Sequence, residues 1–256
     1  MCNNTEHNLS EPDLSDVFIC TDAYVGDAEF DPSQLTLLVN PFDTGPEELA
    51  LARFKLWSQG QRLRIRFMDG ERALHERVER EASKWLEFIN LEFEFGNFAD
   101  AEIRVTFNNT GYWSYVGTDA LRIRSTDPTM ALSGFTVNTS ATLFRRVVLH
   151  EFGHAIGCVH EQSSPSVRIP WNHEAVYRYY ERTNGWSRAQ VANNVFRRYN
   201  LLEVRATSQH DPLSIMQYPI PNELTIGDFE IGLNTELSEM DMQFISRVYP
   251  KPAQNP

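Results

Sequence analysis

The chain has 256 residues, 41% hydrophobic and 23% charged, ordinary proportions for a globular protein with material for a sizeable core. Its net charge of −12 argues against a nucleic-acid-binding surface. No stretch approaches the roughly 20 apolar residues that cross a bilayer, so neither nucleic acid nor membrane is an expected partner.

Residues 1–50 carry eleven acidic side chains and no Lys or Arg, whereas the remainder carries 24 acidic and 23 basic residues. That asymmetry marks a separate N-terminal segment. Pro12, Pro32, Pro41 and Pro46 interrupt it around one short apolar run at 35–39, which predicts an extended segment that packs locally at most. Its first thirty residues lack a basic start and an apolar signal region, so a cytoplasmic location is the default expectation. Cys2, Cys20 and Cys158 are odd in number and scattered, and read as three thiols in a reducing compartment.

The body is expected over 51–250, with a tail at 251–256. Residues 62–67 (RLRIRF) alternate as a half-buried strand does. Asp69-Gly70 predicts a turn, 71–88 a long amphipathic helix with Leu74, Val78, Trp85 and Phe88 inward, and 91–95 and 103–107 two further strands. A helix is expected over 140–158, capped by Ser140 or Thr139. Beyond it the pattern turns mainly helical, with helices over 172–181, 187–199 and 238–249, the last ended by Pro250.

The run from His150 to His160 reads H-E-x-x-H-x-x-G-x-x-H. His150 and His154 are four apart, so a helix stacks them on one face where both can hold one metal ion. Gly157 suits the left-handed residue that ends such a helix, and the turn returns His160 as a third ligand. Three neutral imidazoles at this spacing point to one Zn²⁺ per chain, with Glu151 as general base to an attacking water. Ser214-Ile215-Met216-Gln217-Tyr218 forms a second constellation. Met216 reads as soft packing rather than as a ligand. Tyr218 is either a phenol at the metal, stabilising an oxyanion, or a core tyrosine. His173 and His210 lack partners at ligand spacing and read as surface histidines. Cys158 reads as a small buried apolar residue, and Trp113 and Tyr115 as aromatics near the cleft.

With both motifs in view, the chain resembles the metzincin zinc endopeptidases, in which a methionine-bearing turn lies beneath a three-histidine site. S-x-M-x-Y and Glu161 directly after the third histidine are similar to the astacins. The Gly111–Gly117 segment (GYWSYVG) resembles the astacin G-C-W-S-Y-V-G, and Leu237-Ser238-Glu239-Met240-Asp241 the start of the family's last helix. The resemblance, covering about 56–250, implies an α+β fold. A twisted mixed sheet and zinc helix would form an upper subdomain, with a mainly helical lower subdomain. It implies a monomeric zinc-dependent endopeptidase acting on protein or peptide substrates, with His150, His154 and His160 on the metal and Glu151 and Tyr218 catalytic. The alternative from another class is a catalytically silent zinc domain that binds a protein partner. Tyr112 stands where secreted astacins have a disulfide cysteine, which points to a disulfide-free, microbial relative. Tyr24-Val25-Gly26-Asp27 resembles the F-x-G-D motif of astacin pro-segments, so the resemblance implies Asp27 as a latency switch in a pro-segment-like 1–50.

Overall fold

In the computed structural model the described residues are Cys20, 51–52, 54–200, 204–205 and 209–252. A five-stranded mixed sheet carries the strand order β3-β2-β4-β6-β5, with β2 Arg62–Phe67, β3 Glu92–Phe95, β4 Ile103–Thr106, β5 Tyr112–Ser114 and β6 Met130–Leu132. All neighbours pair in parallel except β5, which runs antiparallel to β6 and forms one edge. The alternation in β2 has the expected cause: Leu63 and Ile65 are wholly buried, while Arg64 on the other face pairs with Asp100 and Glu102 at 2.7 and 2.6 Å. Each of those apolar side chains stabilises the fold by about 1.5–3 kcal/mol. Strands β5 and β6 were not anticipated. Both are three residues long, and β6 is buried throughout between two neighbours, so neither shows alternation. A pair of two-residue strands, β1 Leu51–Ala52 and β7 Val204–Arg205, forms a small second sheet.

Helix α1 spans Arg72–Ala82 and buries Leu74, Val78 and Ala82, four apart, in the main apolar core. It does not continue to Phe88. A 3-10 turn takes over at Ser83–Glu87, and the wholly buried Trp85 donates its indole N–H to the Leu149 carbonyl at 3.0 Å.

Helix α2, Ala141–Ala155, begins at Ser140, whose side chain accepts from the Leu143 amide as predicted. It is buried almost continuously from Phe144 onward, so it is a central helix covered on both faces. Its last carbonyls are received inside the core: Trp57 Nε1 donates to Ala155 at 2.7 Å and the Tyr249 hydroxyl to Ile156 at 2.8 Å. Gly157 then takes φ 109° and ends the helix. Gly153 has a different reason to be glycine. A Cβ there would lie 2.5 Å from Met216 Sδ and 3.3 Å from Trp85. Gly153→Ala is therefore expected to lower stability in chemical denaturation, because about 1–3 kcal/mol of overpacking outweighs the ~1 kcal/mol that Ala gains over Gly in a helix. An unchanged or higher midpoint would mean that Met216 can step aside.

The lower part is built on α3 His173–Asn184 and α4 Arg188–Val191, whereas α5 Glu239–Val248 packs Phe244, Ile245 and Val248 into the main core. Asn172 caps α3 and Gly185 closes it at φ 66°. Capping boxes start α4 (Ser187 with Gln190) and α5 (Ser238 with Asp241). The expected helix at 187–199 is shorter: α4 widens into a π turn at Ala192–Phe196 and stops. Val176, Tyr180, Val191, Val195, Ile220 and Leu224 belong to a second apolar cluster, apart from the main core around α2. The fold is α+β, a mixed sheet with its central helix and a mainly helical lower part.

Candidate metal centre and active site

Helix α2 brings His150 and His154 to one side, and the chain beyond Gly157 returns His160; all three are wholly buried. The ring centroids are 4.9 Å (His150–His154), 5.2 Å (His150–His160) and 4.6 Å (His154–His160) apart. The Nε2 atoms of His154 and His160 face each other at 3.1 Å. A tetrahedral zinc with bonds of 2.0–2.1 Å holds its ligand nitrogens roughly 3.3 Å apart, so the cage has the size such an ion needs. Nδ1 of His150 lies 2.8 Å from the Ile215 carbonyl and Nδ1 of His154 2.8 Å from the Cys158 carbonyl. Donation there places the proton on Nδ1 and leaves Nε2 as a ligand. Burial, then the charges of His154, Arg146 and His160, push His150 well below the ordinary imidazole range, toward the neutral form that binds metal.

The fourth group at this centre is Cys20. One ligand atom from each of Cys20, His150, His154 and His160 lies within 4.8 Å of the others, and all four residues are buried. The Cys20 thiol donates to Glu151 Oε2 at 3.3 Å, and the Tyr218 hydroxyl donates to the Cys20 carbonyl. Cys20 also forms a parallel bridge with Tyr112 on the edge strand β5. The expectation of Cys20 as one of several scattered thiols is therefore corrected: it sits in the site. Neither Cys20 nor Cys158 carries a disulfide among the described residues. Cys158 is buried, and desolvation raises its thiol well above the usual range, which suits an inert packing residue. Asp27 lies outside the described residues.

The methionine turn is held from both sides. Arg146, one helical turn before His150, donates to the carbonyls of Ile215 and Gln217 at 2.8 Å each and of Asn234 at 2.9 Å. Asp241 accepts from the Ser214 hydroxyl at 2.7 Å and the Ile215 amide at 2.8 Å. Both are wholly buried. Burial lowers the Arg146 guanidinium to about 10, opposed chiefly by Glu151, and raises the Asp241 carboxyl to about 6 against hydrogen bonds led by the Ile215 amide. The Ile215 carbonyl thus serves Arg146 and His150 together, which ties the turn to the metal cage. Sequence reasoning passed over Arg146, although its place four residues before His150 puts it on the same helix face. Glu161 joins the same assembly: its amide donates to the Met216 carbonyl, and its carboxylate accepts from the Asp211 amide, at 3.1 Å each.

Met216 is wholly buried beneath α2, and the Tyr218 ring centroid lies 4.4 Å from that of His160. Trp113 and Tyr115 form an edge-on pair 5.9 Å apart on and just after β5. His173 is exposed against Phe196, and His210 Nε2 meets Gln217 Oε1 at 2.9 Å. Neither joins a metal-ligand group among the described residues.

A mixed sheet backed by a central helix, three clustered histidines and a methionine turn beneath them define a zinc metalloprotease of the metzincin type. Solved structures bear this out. One structure of myroilysin is 38% identical, with TM-score 0.77, covering 79% of this chain and 99% of its own. A second myroilysin crystal structure is 33% identical, with TM-score 0.63, covering 92% of both chains. High choriolytic enzyme 1, a hatching-enzyme zinc protease of the medaka Oryzias latipes, shares the fold at 18% identity and TM-score 0.52, over 77% of this chain and 94% of its own. No protein-family model and no curated protein sequence matches the chain. The chain belongs to the astacin-like metzincin zinc metalloproteases.

Proposed function

We propose that the chain is an endopeptidase in which His150, His154 and His160 hold one zinc ion, Glu151 is the general base, and Cys20 keeps the site latent. The observation that carries this reading is the position of Cys20. A single residue of the acidic N-terminal segment reaches the histidine cage, the Glu151 carboxylate and the Tyr218 hydroxyl together. A catalytically silent zinc domain would need neither a masked carboxylate nor a masked phenol.

Bound zinc would supply Lewis acidity, polarising a peptide carbonyl and making water acidic enough to attack it. Glu151 takes the proton of that water and hands it to the departing amine, so the C–N bond breaks with the charge balanced. Tyr218, released from the Cys20 carbonyl, donates its hydroxyl to the oxygen that gains charge as the carbonyl is attacked. Edge strand β5 offers backbone groups on its outer side, and a protein or peptide substrate is read there as an added strand. Residues 1–50 act as a pro-segment and 51–250 as the catalytic domain. In support, residues 1–50 carry eleven acidic side chains and no Lys or Arg, unlike the near-neutral remainder.

Metal removal tests the reading. Once Cys20 is out of the site, cleavage of an unfolded protein should disappear with a chelator and return when Zn²⁺ is restored. Cleavage that persists without metal would sink it.

A further inference from the structure

A second concave site lies in the lower part of the molecule. It has a volume of about 370 Å³, and Gln162, Arg168, Trp171, His173, Phe196 and Arg198 line it. None of the three metal-site histidines, Glu151 or Tyr218 does so. Its polar groups are one-sided. Arg168 and Arg198 donate to the same Pro165 carbonyl, at 2.8 and 2.5 Å, and neither pairs with a carboxylate among the described residues. Burial first, and then the charge of Arg168, lowers the Arg198 pKa, as expected of two cations converging on one oxygen. Gln162 is 3% exposed; its Oε1 accepts from the Tyr218 amide at 3.3 Å, and its buried Nε2 has no hydrogen-bond partner. A buried amide donor left in this way is costly unless something else accepts from it. Trp171 and Phe196 meet edge-on at 5.7 Å and supply an apolar wall. The mouth includes His173, the first residue of α3, where the helix dipole is positive; the neighbouring Glu174 carboxylate is taken up by Arg188 at 2.7 Å.

We infer that this pocket binds a compact oxyanion, a carboxylate or phosphate group, held between Arg168 and Arg198 and accepting from the Gln162 amide. An anion there relieves the convergence of two cations and satisfies the buried donor in one step, and arginine forks suit planar or tetrahedral oxyanions. The carboxylate could be carried by an acidic side chain of a polypeptide, and the phosphate as a free ion.

Calorimetric titration of the full-length zinc-loaded chain separates these sources. The probes are inorganic phosphate, N-acetylglutamic acid amide and its glutamine counterpart, at fixed ionic strength. At least one of the two anions should bind, and at least tenfold more tightly than the neutral glutamine compound. Binding of the glutamate probe alone would identify a peptide side chain, and of phosphate alone a free ion. Both Arg168 and Arg198 are exposed, so the double variant R168A/R198A should keep its zinc content while losing at least tenfold in affinity. Q162L should weaken the same binding. Absence of binding by both anions, or affinity undiminished in R168A/R198A, would overturn the inference. Because the readout is binding, a chain that takes the anion but cleaves nothing would leave this site standing while refuting the protease reading.

Discussion

Cys20→Ala in the full-length chain should raise the rate of hydrolysis of an internally quenched peptide by on the order of 10²-fold at equal zinc content. Cys20 is tethered, so its thiol competes with solvent and substrate at an effective concentration in the millimolar range or above, without any intermolecular association to offset. Its Sγ also donates to Glu151 and its carbonyl accepts from Tyr218, so the base and the phenol are engaged along with the metal cage. Alanine removes the ligand atom and the bond to Glu151 but leaves the backbone carbonyl and the bridge to Tyr112. A chain beginning at Leu51 removes all of them. The two variants therefore separate chemistry from obstruction. If ligation dominates, Cys20→Ala should approach the truncated chain; if the segment mainly fills the cleft, only truncation should release activity. Equal rates for the wild type and both variants, each with one zinc bound, would remove latency from the account altogether.

The parts of this molecule that were legible in the sequence share a physical character: each is specified locally. The H-E-x-x-H spacing forces His150 and His154 onto one helix face, and Gly157 supplies the one backbone conformation that turns the chain toward His160. Ser140, Ser187 and Ser238 announce their helices because a hydroxyl satisfies an amide two or three residues away. What was missed depends on contacts across long separations. Cys20 meets Glu151 over 131 positions, and no spacing rule connects them. Strand β6 hides its pairing because neighbours cover it on both edges, so Met130, Ala131 and Leu132 are all buried and nothing alternates. The buried clamp of Arg146 and Asp241 contradicts the usual surface preference of charged residues, and its reason appears only once the turn at Ser214–Tyr218 is seen between them. The resemblance pointed to Asp27 as the latency group, by analogy with a motif. Asp27 itself lies outside the described residues; among those described, the thiol of Cys20, seven positions earlier, stands at the cage, and its softness suits zinc.

Glu151→Gln, made in a chain that also lacks Cys20, should lower turnover by about 10²–10⁴-fold while zinc content and melting temperature stay close to the parent's. Glutamine matches glutamate in volume and keeps an acceptor oxygen, so it fits a wholly buried position on α2 without a new cavity. It cannot take a proton from water at neutral pH, so the loss falls on the chemical step and not on substrate binding. KM should therefore change little while kcat collapses. The comparison with Glu151→Asp sharpens the test. Aspartate retains the basic group but withdraws it by one methylene, so it should recover part of the lost rate if Glu151 works by proton transfer. If Glu151 instead serves only as a buried counter-charge to Arg146, whose charged form it favours more than any other neighbouring group does, the outcome differs in kind. Removing one partner of such a buried pair costs about 3–5 kcal/mol, so Glu151→Gln would lower the melting temperature and zinc occupancy together, with activity falling only in proportion to folded enzyme. A stable, zinc-replete and inactive variant identifies the base; an unstable one assigns the carboxylate to the clamp beneath the site.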